Sequence, residues 1–130
     1  MIDAMENQYE LHEISVVGDL GKYEIYVNTG DVGKVPHVHF QLKKGGNIFH
    51  TCILLLEADY FFHGESEDVL DYEQKKVFQI FMESPVTIPK YESKFNNNWE
   101  LACCMWDINN TDVLIPDDAV MPNYGNLPNK

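Results

Sequence analysis

The segment "HVHFQLKKGGNIFHTCIL", residues 37–54, predicts a β-hairpin. Apolar and polar residues alternate before the glycine pair, and a period of two is typical of a strand with one buried face. The apolar face then carries Val38, Phe40 and Leu42. The opposite face carries His37, His39, Gln41 and Lys43. Apolar residues after the turn share this opposite face, so we expect part of it to be covered too; they are Ile48, Leu54 and Leu56.

The glycine pair fixes which residues of the two strands face each other. If Gly45 and Gly46 form a two-residue loop, Lys44 pairs with Asn47 and the register follows from there. The expected pairs on the histidine face are Gln41 with His50, His39 with Cys52, and His37 with Leu54. Those on the apolar face are Val38 with Ile53, Phe40 with Thr51, and Leu42 with Phe49. A shift by one residue would turn every side chain to the wrong face.

The flanking sequence extends this hairpin into an α+β fold. Two alternating segments precede it, "ELHEISVV" with Ile14 and Val16 on one side and "YEIYVN", joined by a turn at "GDLGK". Two capping-box patterns after it open helices, Asp71 with Gln74 and Asn97 with Glu100. We expect a single domain over 1–130: an antiparallel sheet of about four strands over 10–57, two C-terminal helices at about 71–84 and 97–110 packed on one face, and an extended Pro-rich tail over 111–130.

The apolar pattern also predicts which parts of the helices and tail are buried. In the first helix, Val77, Phe78 and Phe81 form a stripe that suits packing on a sheet. The second helix is apolar over most of its circumference and should be largely buried. Apolar residues in the tail indicate that it lies along the domain.

The composition excludes several classes of protein. The net charge is −12 at pH 7, and all nine basic residues are lysines. Because arginine supplies most bidentate phosphate and guanine contacts, we expect no direct nucleic-acid binding. The sequence has neither an apolar run long enough for a membrane span nor a secretory pattern at its N-terminus, which favours a cytoplasmic protein. Its three cysteines, two of them adjacent, do not form a disulfide framework.

The histidine face of the hairpin is a candidate metal site. His37, His39, His50 and Cys52 fall on it together in the expected register. Directly opposed residues have Cβ atoms about 5 Å apart, and imidazole and thiolate suit zinc or a similar divalent metal. His63 and Glu65, just beyond the second strand, are candidate proton carriers, and His63 is also a candidate ligand. The spacing matches no named zinc motif, and a catalytic residue is not identified.

One stretch resembles a known family. "VPHVHFQLK", with a strand before it and a strand and helices after it, resembles a small bacterial family of unknown function built around a Pro-His-Xaa-His strand, here Pro36, His37 and His39. "YFFHG" and "NNWELACCMWDINN" are similar to segments of uncharacterised proteins from gut bacteria and their phages. The likeness covers 23–110. It implies this fold and a mobile-element or phage context, and it implies no activity.

Two functions are compatible with these features. The first is an interaction or inhibitor module, in which the acidic protein binds a basic protein partner as antitoxins and phage-encoded inhibitors do. The alternative is a metal-binding or metal-dependent hydrolytic domain, in which a metal on the histidine face activates a water. Acidity is also typical of proteins that need only to stay in solution, and a His-Xaa-His pair is also typical of a half-exposed strand. We expect the interaction module; the sequence leaves open whether the protein is an enzyme and what its oligomeric state is.

Overall fold

The computed structural model of the protein describes residues 14–28, 35–42, 49–62 and 68–129. Four antiparallel strands form one sheet in the order β1-β2-β3-β4, and two α-helices follow. The elements are β1 (Ile14–Leu20), β2 (Tyr23–Asn28), β3 (His37–Leu42), β4 (His50–Leu54), α1 (Tyr72–Glu83) and α2 (Asn98–Asn109). Short 3₁₀ turns lie at Pro89–Tyr91 and Tyr124–Asn126. The α+β class, the four-stranded antiparallel sheet and the two C-terminal helices are confirmed.

The register of the β3–β4 hairpin is the predicted one. His39 lies opposite Cys52, Phe40 opposite Thr51, and the other described pairs agree: His37 with Leu54, Val38 with Ile53, and Gln41 with His50. The Leu42 N–H donates to the Phe49 carbonyl at 3.0 Å, which continues the pairing toward the turn. Residues 43–48, with the predicted Gly45–Gly46 loop, lie outside the described residues.

The prediction that β3 has one buried face is wrong, because both faces are buried. Val38 and Phe40 join a core that includes residues of both helices, and the Phe40 ring contacts Phe78 of α1. On the other face His37 is 0% and His39 2% exposed. The sequence predicts that part of this face is covered, and in the structure both histidines are buried. The alternating side chains of β3 therefore enter two buried environments, one apolar and one polar.

β1 contains a β-bulge, and Gly18 beside it allows α1 to lie close to the sheet. Val16 pairs with Tyr26 and Gly18 with Ile25, so Val17 is the extra residue; Val17 is buried in the core while Val16 is exposed, contrary to the simple alternation. A Cβ atom on Gly18 would lie 2.9 Å from the Phe81 ring of α1. β1 continues to Leu20, so the turn to β2 is shorter than predicted, with Gly21 at a φ of 61°.

The two predicted capping boxes differ in the structure. Asp71 accepts from the Gln74 N–H and Gln74 Oε1 accepts from the Asp71 N–H, both at 2.8 Å, so the first box is complete. Asn97 Oδ1 accepts from the Glu100 N–H at 2.8 Å, but the Glu100 carboxylate accepts from the backbone and side-chain amides of Asn96. The second box is therefore only half formed, although α2 begins where predicted.

Burial of the helices and tail agrees with the sequence in outline, but Val77 in α1 and Leu114 and Val120 in the tail are exposed. Val77 is 42% exposed, so it does not belong to the packing stripe of α1, whose buried residues are Lys75, Phe78, Phe81 and Met82. In α2, ten of the twelve residues are buried, as expected. The tail lies along the domain: the buried Tyr124 donates its hydroxyl proton to the Leu54 carbonyl at 2.8 Å, and Asn129 accepts from the Lys75 ammonium. Among the described residues, no helix has the length and apolar character needed to cross a bilayer.

Replacing Gly18 by alanine should destabilise the protein. The new methyl group would lie against the Phe81 ring, and overpacking of this kind costs about 1–3 kcal/mol in free energy of unfolding. Urea denaturation measures the change, with Val16→Thr as an exposed control in the same strand that should shift stability by about 0.5 kcal/mol or less. Equal stability of Gly18→Ala and the wild type would contradict the close helix–sheet contact.

Candidate functional site

Three side chains from the two central strands form a buried cluster. His37 and His39 are two residues apart on β3 and therefore share a face, and Cys52 on β4 lies directly opposite His39. One donor atom from each residue can be chosen so that all three lie within 4.8 Å of one another. Three of the four residues predicted as metal ligands are thus brought together, and we call His37, His39 and Cys52 the donor cluster.

His50, the fourth predicted ligand, lies beside the donor cluster, and its ring contacts His39. The distance from His50 Nε2 to His39 Nδ1 is 2.8 Å, and His39 Nδ1 is 3.4 Å from Cys52 Sγ. His50 is half-buried, and it lies outside the set of mutually close donors. His39 is therefore the residue that links the cluster to its more accessible side.

Hydrogen bonds at the outer ring nitrogens hold the two strand histidines. His37 Nδ1 is 2.6 Å from the Val35 carbonyl, and because a carbonyl only accepts, Nδ1 carries a proton. His39 Nε2 is 3.3 Å from the side-chain amide nitrogen of Asn28. The backbone carbonyl of Asn28 in turn accepts from the side chain of Asn110 at the C-terminus of α2, at 2.9 Å.

The Asn28 amide has an alternative orientation that changes the proton on His39. Asn28 Oδ1 is buried and has no hydrogen-bond partner among the described residues. Turning the amide by half a rotation exchanges its oxygen and nitrogen, after which His39 Nε2–H donates to Oδ1. When His39 is neutral, as a metal ligand is, Nδ1 then directs its lone pair to the side of Cys52 and His50.

Aromatic rings fix the orientation of both imidazoles. Tyr26 of β2 stacks on His39 with ring centroids 4.7 Å apart and planes 8° apart, and its hydroxyl donates to Gln41 Oε1 at 2.6 Å. The rings of Phe61 and Trp106 lie 5.0 and 5.4 Å from His37. Sequence reasoning missed Tyr26 and Asn28, although the alternation of "YEIYVN" places both on the face opposite Ile25 and Val27. Trp106 lies in α2, which the sequence predicts to be largely buried.

The histidines determine the ionisation of Cys52. Burial by itself raises the pKa of this thiol, but the neighbouring imidazoles of His37, His39 and His50 and the charge on His39 outweigh burial and lower the pKa to about 4. Cys103 in α2 shows the opposite result, since burial and the nearby Asp107 carboxylate raise its pKa. The three cysteines, all within the described residues, form no disulfide. Cys52 is therefore a thiolate at neutral pH, which is the form that binds metals.

The predicted proton carriers His63 and Glu65 lie outside the described residues. From the same acidic segment, Asp68 is described, and its Oδ2 accepts from the backbone N–H of His50 at 2.9 Å. This carboxylate therefore holds the first residue of β4 in place.

Two kinds of chemistry are compatible with the cluster, and burial separates them. Two imidazoles and a thiolate are a suitable donor set for zinc and similar divalent metals. Cysteine proteases use a cysteine that contacts a histidine, which in turn contacts an asparagine side chain. Cys52, His39 and Asn28 make the same series of contacts. Cys52 is 0% exposed, so an extended substrate cannot bring its carbonyl directly to the sulfur. The geometry favours a metal ion over covalent catalysis.

No protein-family model matches the chain, and no curated protein and no solved structure is detectably similar to it. The resemblance to a Pro-His-Xaa-His family stays a prediction.

The metal-free protein should hold Cys52 as a thiolate well below neutral pH. Its pKa is lowered from 9.0 to about 4, so the thiolate stabilises the fold fully above pH 9.0, and this contribution is lost as the pH falls toward 4. The ionisation of Cys52 is measured as the ultraviolet thiolate absorbance of the wild type minus that of Cys52→Ala, recorded as a function of pH. Unfolding in denaturant at neutral pH should abolish the difference because the thiol then takes up a proton. A folded-state titration near the ordinary pKa would contradict the role of the histidines.

Proposed function

We propose that this protein binds a divalent transition metal, with zinc as the best-fitting ion, at His37, His39 and Cys52. The observation that carries the proposal is that three buried donors lie within 4.8 Å of one another. Metal–ligand bonds of about 2.0–2.3 Å place the donors of one zinc ion about 3–4 Å apart. Small side-chain rotations are therefore enough to bring the donor cluster around a single ion.

The outer hydrogen bonds of the histidines support this proposal. A histidine that binds a metal usually donates its other ring N–H to a carbonyl or carboxylate, which fixes the tautomer and directs the lone pair. His37 has this arrangement with the Val35 carbonyl. His39 reaches the same arrangement with Asn28 Oδ1 once the amide is turned, and that turn also gives the buried Oδ1 a donor.

The buried charge gives a second, independent reason for a cation. A thiolate removed from water is costly unless a positive charge compensates it. In the metal-free protein the histidines around Cys52 supply this compensation. A divalent ion would supply it directly and would release the histidines to bind as neutral imidazoles.

Protein binding is a second proposal, supported by the outer face of α1. Tyr72 is 72% and Ile80 61% exposed on this helix, and Val77 lies between them. A cavity of about 320 Å³ adjoins the helix and is lined mainly by apolar side chains, Tyr23, Phe40 and Val77 among them. Glu73 and Glu83 lie on the same helix and would face a basic partner. This second function needs neither a metal nor the donor cluster.

Zinc content should follow the donor cluster. Untagged protein purified without chelator should contain close to one zinc per chain by elemental mass spectrometry, and His39→Ala and Cys52→Ala should lose it because each removes a ligand. Cys103→Ala is the matched control, since it removes an equally buried cysteine that lies in α2. Zinc should also raise the melting temperature of the wild type and the control but not of the two site variants. Wild-type protein that takes up no zinc or cobalt, even when the metal is added, would refute the proposal.

A partner that binds the outer face of α1 should be lost when its exposed apolar residues are removed. The Tyr72→Ala/Ile80→Ala variant should fail to retain a basic protein that the wild type retains at low salt. The reason is that the exposed apolar side chains of α1, and not the metal, would bind the partner. Retention by the wild type should weaken as salt increases, since the charges are exposed. The His39→Ala variant should bind as the wild type does, and a loss of the partner in that variant instead would argue against α1.

A further inference from the structure

We infer that the metal bound by His37, His39 and Cys52 keeps one coordination position open to a small ligand from solution, and that this position lies on the side of His50. The inference rests on the proposed metal site. Such a metal would bind a donor from solution, such as hydroxide, azide or imidazole, whereas a structural metal has all its positions filled by side chains.

The number of close donors is the first reason. Zinc in proteins takes about four ligands: structural sites fill all four with side chains, while sites that bind substrate use three and leave one for water or ligand. The donor cluster offers three side chains, and within the described residues no fourth one lies inside the same 4.8 Å set.

The position of His50 is the second reason. Its backbone is held in place by the Asp68 carboxylate, which accepts from the His50 N–H at 2.9 Å, and by pairing with Gln41. Its ring reaches His39 Nδ1 at 2.8 Å but stays outside the set of three, and it is half-buried where the other three residues are buried. A donor at the fourth position would therefore lie beside an imidazole that can exchange hydrogen bonds with it.

The packing around the other two histidines leaves His50 as the side of access. Tyr26 covers one face of His39, and the rings of Phe61 and Trp106 lie against His37. A ligand that approaches from solution therefore passes His50. Because all three ligands are buried, the open position would admit only a small monodentate donor. The same position would hold the water that a hydrolytic metal site activates.

Cobalt(II) substitution tests the inference separately from the proposed function. Cobalt is added to metal-free wild type, His50→Ala and Cys52→Ala, and the visible d–d bands are recorded before and after titration with azide and with imidazole. We expect the wild type to bind cobalt and its bands to shift with azide. His50→Ala should still bind cobalt, weakened by about 10- to 100-fold as for the loss of an outer partner. Imidazole should shift the bands of the wild type and of that variant alike, because both keep the open position.

The outcomes distinguish the two claims. If the wild type binds cobalt but azide does not change its bands, the inference of an open position is wrong and the metal site is still supported. This holds whether or not azide changes the bands of His50→Ala. Loss of cobalt from His50→Ala as complete as from Cys52→Ala makes His50 a firm fourth ligand and also overturns it. No cobalt in the wild type refutes the proposed function itself. His50→Gln, with a polar side chain in place of the ring, separates a folding defect from a ligand effect when melting temperatures are compared.

Discussion

The pairing of β3 with a strand on each side is the constraint on which the rest of the structure depends. Because side chains alternate along a strand, the register that places Phe40 opposite Thr51 in the core also places His39 opposite Cys52 on the other face. A slip of one residue would turn imidazoles into the apolar core and phenylalanine into the donor cluster. The hydrophobic pattern that specifies the fold therefore also assembles the site, and neither can change alone.

Burial of the histidine face carries a cost that the site itself reduces. An imidazole or thiol taken out of water loses hydrogen bonds that the protein must replace. The structure replaces them within the cluster and at its edge, through the Val35 carbonyl for His37 and the Asn28 amide for His39. The same contacts that make the polar face tolerable inside a small domain also hold its donor atoms in fixed orientations.

The local parts of the fold could be predicted from the sequence, and the parts made by distant residues could not. Alternation and a glycine turn were enough for the hairpin register, and with it for grouping His37, His39 and Cys52. The cover over them depends on which strand lies beside β3 and on a helix far along the chain, as Tyr26 and Trp106 show. Val77 was misplaced for a related reason, since the rotation of a helix against a sheet is set by the contact and not by periodicity alone.

The hydrogen bond from Asn110 to the backbone of Asn28 has a consequence for how the molecule opens. It joins the end of α2, the most deeply buried helix, to the end of the strand whose last side chain meets His39. Fraying of β2 at this end would break this hydrogen bond, so the order of the cluster is linked to the order of the core. An ion that enters such a site finds its donors already ordered, so little conformational entropy is lost on binding.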